Sequence, residues 1–229
     1  MLLKAWDALP ARMRNAPVRG YYEHLRQKRA ALVLKRLFDV LASIILLAIL
    51  LPLLLVLIVL IKLDSEGPVM FRQTRVTQYG RRFRIYKFRT MVHHAESLGT
   101  QVTTRDDARV TRAGRMLRKL RLDELPQLFN ILVGDMTFVG TRPEVPKYVA
   151  RYSDEMLATL LLPAGVTSEA SIYYKDEEQL LADARDAEAT YLGEVLPAKM
   201  RYNLEGIRKF CGSYELRVMG KTLAAVTKR

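Results

Sequence analysis

The longest unbroken apolar run lies between Val40 and Ile61, twenty-two residues without a charge in which only Ser43 and Pro52 are not plainly hydrophobic. At a helical rise of about 1.5 Å per residue it covers about 33 Å, enough for the hydrocarbon core of a bilayer. Its length, its distance from Met1 and the lack of a small-residue cleavage site after it separate it from a secretory signal peptide. Pro52, just past its middle, removes one backbone hydrogen bond and predicts a bend. After the turn-rich Asp64-Ser65-Glu66-Gly67-Pro68 the pattern changes period. Residues 69–76 and 81–90 are β-rich runs joined through Gln78-Tyr79-Gly80, which predicts a hairpin. In the second run, alternation puts Arg82, Arg84 and Tyr86 on one face and Arg81, Phe83, Ile85, Lys87 and Arg89 on the other. A helix is predicted from about Thr111, carrying Arg112, Arg115, Arg118, Lys119 and Arg121, most of them three or four residues apart. An apolar helix over Leu128 to Val133 follows, closed by Gly134. Gly140 to Pro143 reads as an extended loop, and the remainder as amphipathic helix broken at Pro163-Ala164-Gly165 and Pro197.

Charge narrows the partners. A formal net charge of +13 and a pI near 10 call for a polyanion: nucleic acid, an anionic membrane face or phosphorylated substrates. Residues 1–36 hold nine basic residues against two acidic ones, together with Trp6, Tyr21 and Tyr22. Pro10 and Pro17 interrupt this segment, which reads either as a broken interfacial arm with a helix from about Tyr21 or as a basic tail. Both flanks of the apolar run are cationic: Arg26, Lys28, Arg29, Lys35 and Arg36 before it, Lys62, Arg72, Arg75 and Arg81 after it. Such residues mark the cytoplasmic side. Two cytoplasmic flanks and a central bend favour a re-entrant helix that dips into one leaflet and returns, with a kinked single-pass helix as the competing picture. The lone Cys211 excludes an intramolecular disulfide and fits a reducing compartment. With no histidine near it, Cys211 reads as a packed helix residue and not a catalytic thiol. The adjacent His93 and His94, with no third ligand nearby, read as surface residues, and residues 105–109 as a polar loop.

The candidate chemistry sits at Leu122-Asp123-Glu124-Leu125-Pro126-Gln127. Asp123 is placed to cap the following helix, with Pro126 in its first turn. A helix start keeps a carboxylate ionised and attracts phosphate. An isolated Asp-Glu pair is more often a plain cap, but here a cationic helix leads directly into it. Lys87 and Arg89, on an otherwise apolar strand face, need anions to pair with and are candidates for a phosphate site. A membrane-tethered nucleic-acid-binding protein would account for the basic and aromatic interleaving, though not for the paired carboxylates.

Lys35-Arg36 with Phe38-Asp39 before a proline-containing membrane segment, Gly67-Pro68, Lys87-Phe88-Arg89-Thr90-Met91, Leu122 to Gln127, and Gly140-Thr141-Arg142-Pro143 occur in that order. In this the sequence resembles the bacterial sugar transferase family, the monotopic polyprenol-phosphate phosphoglycosyl transferases, strongly over residues 31–150 and weakly beyond. It is similar to the small form, with no room upstream for the extra membrane helices of larger relatives. The resemblance implies transfer of a sugar 1-phosphate from a nucleotide (UDP) sugar to polyprenol (undecaprenyl) phosphate, giving a polyprenyl diphosphate sugar and UMP. This would be the first membrane step of a bacterial surface glycan such as an exopolysaccharide, lipopolysaccharide or capsule. By the same resemblance Asp123 attacks the sugar-linked phosphorus to form an aspartyl-phosphosugar intermediate. Glu124, with Asp123, holds Mg²⁺ or assists proton removal; Lys87, Arg89, Arg118, Arg142 and Pro143 form the substrate site; Asp39 and Pro52 belong to the membrane helix, with Pro52 at its bend. A non-catalytic scaffold for glycan assembly is the other alternative, against which the intact motifs argue. Thr77 stands where the family usually has glycine and Thr141 where it often has proline, which bears on loop shape; in the tail Ala164 is an extra residue and Glu169-Ala170-Ser171-Ile172 replaces the usual signature, which leaves the sugar unassigned.

Pattern and resemblance together predict an α+β, mainly helical fold: a re-entrant membrane helix, a short β-hairpin and amphipathic interfacial helices around a compact cytoplasmic catalytic core. The expected segments are a basic interfacial arm (1–30), the membrane helix (31–66), the catalytic core (67–150) and a C-terminal helical region (151–229). The expected location is the cytoplasmic face of a bacterial inner membrane. The expected partners are a nucleotide sugar, polyprenol phosphate and an anionic bilayer, not nucleic acid, with homo-oligomerisation left open.

Overall fold

The computed structural model describes residues 3–92, 94–95, 107–182, 184 and 186–227. Two helices open the fold: α1 (Ala16–Gln27) and, after one residue, α2 (Arg29–Asp64). Helix α1 starts earlier than Tyr21 because the Asn15 side chain accepts from the Val18 N–H (2.9 Å) and Pro17 is tolerated in the first turn. Helix α2 holds the whole apolar run within 36 residues, and Pro52 lies inside it without interrupting it. One stripe of α2 faces protein along its length: Leu32, Lys35, Asp39 and Ser43 are buried, Leu47 and Leu50 partly so, and Leu54, Leu57 and Ile61 again buried. Their spacing of three or four residues is the helical repeat. Both ends and the middle of α2 therefore dock on one protein body, a monotopic arrangement. The rest of its surface is apolar and exposed, with Leu34, Ile49 and Leu63 each more than 60% accessible. Of its most apolar 18 residues only 17% are buried, which separates it from the core helix of a soluble domain.

The predicted hairpin forms from β1 (Met70–Val76) and β2 (Arg82–Phe88), antiparallel, with Met70 opposite Phe88 and Val76 opposite Arg82. Its loop turns through Tyr79 (φ 58°) and Gly80 (φ 75°). Phe83 and Ile85 point into the core, as the alternation requires. Helix α3 (Arg112–Lys119) begins where Thr111 accepts from the Gly114 N–H (3.0 Å) and the Asp64 carboxylate from the Ala113 N–H (2.9 Å), so the end of α2 helps start α3. A single 3₁₀ turn, Leu122–Glu124, leads into α4 (Gln127–Val133), which ends on Gly134 (φ 91°). At that end the Arg36 guanidinium donates to the carbonyls of Ile131 (2.6 Å) and Leu132 (2.8 Å), a cation where the helix dipole favours one. Met116, Leu120, Phe129 and Val133, on or beside helices that pack on α2, are exposed as well.

Strand β3 (Met136–Val139) and, after the short α5 (Pro146–Val149), β4 (Ala164–Thr167) form a parallel pair, Met136 opposite Ala164. The chain crosses itself so closely here that a Cβ on Gly165 would lie 2.2 Å from the Gly140 backbone. The C-terminal region contributes α6 (Glu169–Tyr173), α7 (Glu177–Ala182), α8 (Ala187–Thr190), α9 (Leu196–Arg208) and α10 (Gly212–Thr227). Its core is shared with the N-terminus: Leu9, Met13, Val18, Tyr22 and Leu25 pack in one cluster with Leu157, Leu161, Leu196, Met200 and Phe210. The N-terminal segment is thus no loose tail, because its apolar residues between the cations fill the C-terminal core. Cys211 is exposed just before α10 and not packed in a helix, and His94 is exposed; His93 and residues 105–106 lie outside the described residues.

Polar groups fix α2 against β3. The fully buried Asp39 accepts from the Thr137 hydroxyl (2.7 Å) and the Phe138 N–H (3.3 Å), while Lys35 donates to the Val139 carbonyl (3.1 Å) and pairs with Glu215 (2.7 Å). Asp39→Ala strands a hydroxyl and an amide, and is expected to lower the unfolding free energy in detergent by about 2–3 kcal/mol. Asp39→Asn, which keeps an acceptor, should cost less; equal urea midpoints for the two variants would contradict this account.

Candidate active site

Three cationic and anionic side chains from three separate elements meet beside the 3₁₀ turn. Glu124 receives Lys87 Nζ from β2 at 3.1 Å, and the two guanidinium nitrogens of Arg142, from the loop after β3, grip both carboxylate oxygens. Lys87 reaches Glu124 because α4 is locked across β2: the buried Asn130 side chain accepts from the Tyr86 N–H and donates to the Arg84 carbonyl, each at 2.9 Å. Arg142 is fixed from the other side, where its neighbours Gly140 and Thr141 are held by Gly140 N–H to Thr167 O (2.9 Å) and Gly165 N–H to Thr141 O (2.8 Å). The bidentate pairing is the geometry that suits arginine to carboxylates and phosphates.

Asp123, next along the turn, is in a different state. It is 9% exposed, and no hydrogen bond or ion pair engages its carboxylate among the described residues. It does not cap α4 as expected; the helix begins four residues later, at Gln127 after Pro126, and the turn carrying Asp123 follows Arg121 in left-handed backbone (φ 57°). Burial and then the adjacent Glu124 charge raise its pKa above the ordinary aspartate value, against the pull of Lys87, Arg121 and Arg118. For Glu124, burial acts in the same sense, but Arg142 and then Lys87 overcome it and hold the carboxylate well below its usual range. Burial in turn lowers the pKa of Lys87, opposed by Glu124, whereas Glu124 raises that of Arg142. Two adjacent carboxylates thus occupy opposite electrostatic states, a division of labour common in catalytic pairs. Two cations, a carboxylate clamped between them and a desolvated unpaired carboxylate thus meet at one turn.

The profile of bacterial sugar transferases matches residues 30–229. The chain belongs to the bacterial sugar transferase family. It is 50% identical over 123 residues to the UDP-N-acetylgalactosamine-undecaprenyl-phosphate N-acetylgalactosaminephosphotransferase of Aeromonas hydrophila, which covers 54% of this chain and 29% of the relative. It is 46% identical over 129 residues to the UDP-glucose:undecaprenyl-phosphate glucose-1-phosphate transferase of Caulobacter vibrioides, covering 52% and 48%. To the undecaprenyl-phosphate glucose phosphotransferase of Komagataeibacter xylinus it is 44% identical over 145 residues, covering 60% and 27%. The chain thus spans less than half the length of each of these curated relatives.

Within this family member the other expected site residues separate. Half-buried Arg118 acts on Asp123 through charge. Pro143 is buried, its carbonyl accepting from Arg75 (3.2 Å). Arg89 is drawn away from the site: its guanidinium donates to the carbonyls of Pro68 (2.6 Å), Ile61 (3.2 Å) and Ser65 (2.7 Å), capping the end of α2. It stands one residue past β2, where the unsatisfied carbonyls of a helix terminus outcompete the strand face. Thr77 is buried and couples the hairpin to both neighbours, donating to Asp135 O (2.6 Å) and accepting from Ala164 N–H (3.1 Å). Sequence reasoning missed Arg121, Asn130 and a buried group behind Arg142 in which Glu144 accepts from Tyr191 (2.5 Å) and lies 4.0 Å from Arg75. A polar Asn130 inside an apolar helical run was the available signal.

The raised pKa of Asp123 carries a stability cost that is absent below the unfolded value, about pH 3.9, and fully present once pH exceeds the folded one. Asp123→Asn is therefore expected to raise the Tm at pH 7, by about 2–4 °C per kcal/mol relieved, and to leave it unchanged near pH 3. A lower Tm at pH 7 would show instead that the carboxylate is stabilising.

Proposed function

We propose that this protein is a phosphoglycosyl transferase that moves a sugar 1-phosphate from a nucleotide (UDP) sugar to a polyprenol phosphate such as undecaprenyl phosphate, at the cytoplasmic face of a bacterial inner membrane. The observation that carries the reading is the contrast between unpaired, desolvated Asp123 and cation-clamped Glu124, set beside an apolar helix that brings the site to the lipid. Relatives whose names specify UDP-sugar and undecaprenyl-phosphate substrates support the same class.

In this reading Asp123 Oδ attacks the sugar-linked phosphorus, the bond to the nucleoside monophosphate breaks, and that group departs with its oxygen. The phosphate oxygen of the polyprenol phosphate then attacks the same phosphorus and releases Asp123. Two displacements spare the protein from holding two polyanions against each other. Burial that raises the Asp123 pKa also makes its anion less solvated and more reactive. Lys87 and Arg142, organised on Glu124, turn to the incoming diphosphate, for which the bidentate fork is suited. Among the described residues no three His, Cys, Asp or Glu side chains cluster as a metal cage. Asp123 and Glu124 nevertheless fit Mg²⁺, which is commonly held by one or two carboxylates plus substrate phosphates; when bound it would neutralise diphosphate charge. Helix α2 is read as re-entrant, entering one leaflet with its exposed face while its polar stripe stays on protein.

Asp123→Asn is expected to reduce nucleoside monophosphate release from a nucleotide sugar, with Mg²⁺ and polyprenol phosphate present, by about a thousandfold or more; wild-type turnover in that variant would remove Asp123 as nucleophile. In the active enzyme the acid limb of kcat/KM should lie above the ordinary aspartate pKa, because the nucleophile must be ionised, and Glu124→Gln should move it to lower pH by deleting a like charge. A limb unmoved in Glu124→Gln would detach it from Asp123. For topology, single cysteines at exposed Gln27 and Thr74, in a Cys211→Ser background, should both resist an impermeant thiol reagent in intact cells and react after lysis. Labelling of just one in intact cells would mean that α2 crosses the membrane.

A further inference from the structure

One cleft is walled in part by Gly140 and Thr141, just before Arg142. It is open to solvent and bounded by α6, α9, α10 and residues 139–141, so its wall ends one residue before the Arg142 that grips Glu124. Three features of α9 and α10 point to an occupant. Asn203 is 7% exposed; among the described residues its Oδ1 has no partner and its Nδ2 has only the Met200 sulfur, at 3.8 Å. A buried amide left this way is unfavourable unless a ligand completes it. Gly206, one turn further along the same face of α9, sits in a helix interior where alanine would be more favourable. A Cβ there would come within 2.9 Å of the Tyr214 hydroxyl and narrow the cleft. At the mouth, Tyr202 stacks on the exposed Tyr173 with ring centres 4.9 Å apart.

The chemistry of the lining decides what fits. Among the described residues that line it there is no Lys or Arg, which makes it a poor match for a phosphate or diphosphate. Its two carboxylates are already matched from outside, Glu215 by Lys35 (2.7 Å) and Glu169 by Lys221 (3.3 Å), so it offers no unbalanced charge. What remains is an apolar and aromatic wall with an unpaired amide and hydroxyls from Thr141 and Ser168. That suits a neutral, polyhydroxylated ring with apolar C–H faces. Resting on the transferase reading above, we infer that this cleft receives the glycosyl portion of the nucleotide sugar, and that Asn203 bonds a ring substituent and sets which sugar is accepted. The diphosphate then lies at Lys87 and Arg142 and the sugar beyond Thr141. A site built to bond a substrate polar group discriminates strongly against analogues that lack it.

Asn203→Ala and Gly206→Ala would be compared with wild type for monophosphate release from UDP-glucose, UDP-galactose and their N-acetylamino counterparts. Inhibition by UDP and the KM for polyprenol phosphate would be measured alongside. The expected result is that each variant raises the KM of the preferred sugar nucleotide at least tenfold or reorders the panel, while UDP inhibition and the polyprenol phosphate KM stay within twofold. Asn203→Ala should keep the wild-type Tm, because it removes a group without partners. An unchanged panel and KM in either folded variant would overturn the assignment. So would a parallel loss of UDP affinity, which would make the cleft a nucleoside site, or a marked fall in Tm for Asn203→Ala, which would make the amide structural. Wild-type protein that releases no monophosphate from any nucleotide sugar would instead sink the transferase reading itself.

Discussion

The grip of Lys87 and Arg142 on Glu124 is the interaction that the rest of the structure serves. A carboxylate removed from water is costly unless opposite charge and hydrogen bonds replace the solvent. Here the replacements come from a strand of the hairpin and from the loop after β3, so the hairpin, the 3₁₀ turn and the parallel pair must all be in place before Glu124 is satisfied. The arrangement leaves Asp123 as the one carboxylate of the pair without a fixed partner among the described residues, and burial does the rest. The unpaired, desolvated state of Asp123 thus follows from how its neighbour is held.

Two kinds of scaffolding hold that geometry. Asn130 imitates the edge of a strand for β2, fixing α4 and the turn that precedes it. On the far side, the Gly140–Gly165 contact brings two backbones closer than any side chain would allow, which sets where the loop to Arg142 begins. Behind it, Arg75, Glu144 and Tyr191 fill the space under Pro143 with paired charges instead of hydrocarbon, so that the loop cannot rotate without breaking them.

Much of this was legible in the chain, and the failures have local causes. The hairpin, the Lys87 face, the start of α3 at Thr111 and the Gly134 cap follow from alternation and capping chemistry. Arg89 was misplaced because the period of two was carried one residue beyond the strand, where helix-end carbonyls compete for the same guanidinium. Asp123 was read as a cap because Asp before a proline-containing turn favours that role, yet the turn closes as 3₁₀ and the helix starts afterwards. Arg142 was reached by resemblance alone, since no spacing in the sequence brings a loop residue to Glu124. The polar stripe of α2 was open to reading: Lys35, Asp39 and Ser43 stand four residues apart on one side of an apolar helix, which already marks that side as facing protein.

That stripe couples the placing of α2 to the making of the site. The Thr137 and Phe138 groups of β3 bonded by Asp39, and the Val139 carbonyl bonded by Lys35, belong to the strand that leads into the loop carrying Arg142. Until α2 is docked, those groups have no partners and the strand is incomplete. A ribosome releases α2 first, so the helix is available to lipid while the strand it completes is still unmade. Docking of α2 and completion of the strand are then steps of one assembly, and a chain whose helix stayed undocked would leave the loop to Arg142 without its support.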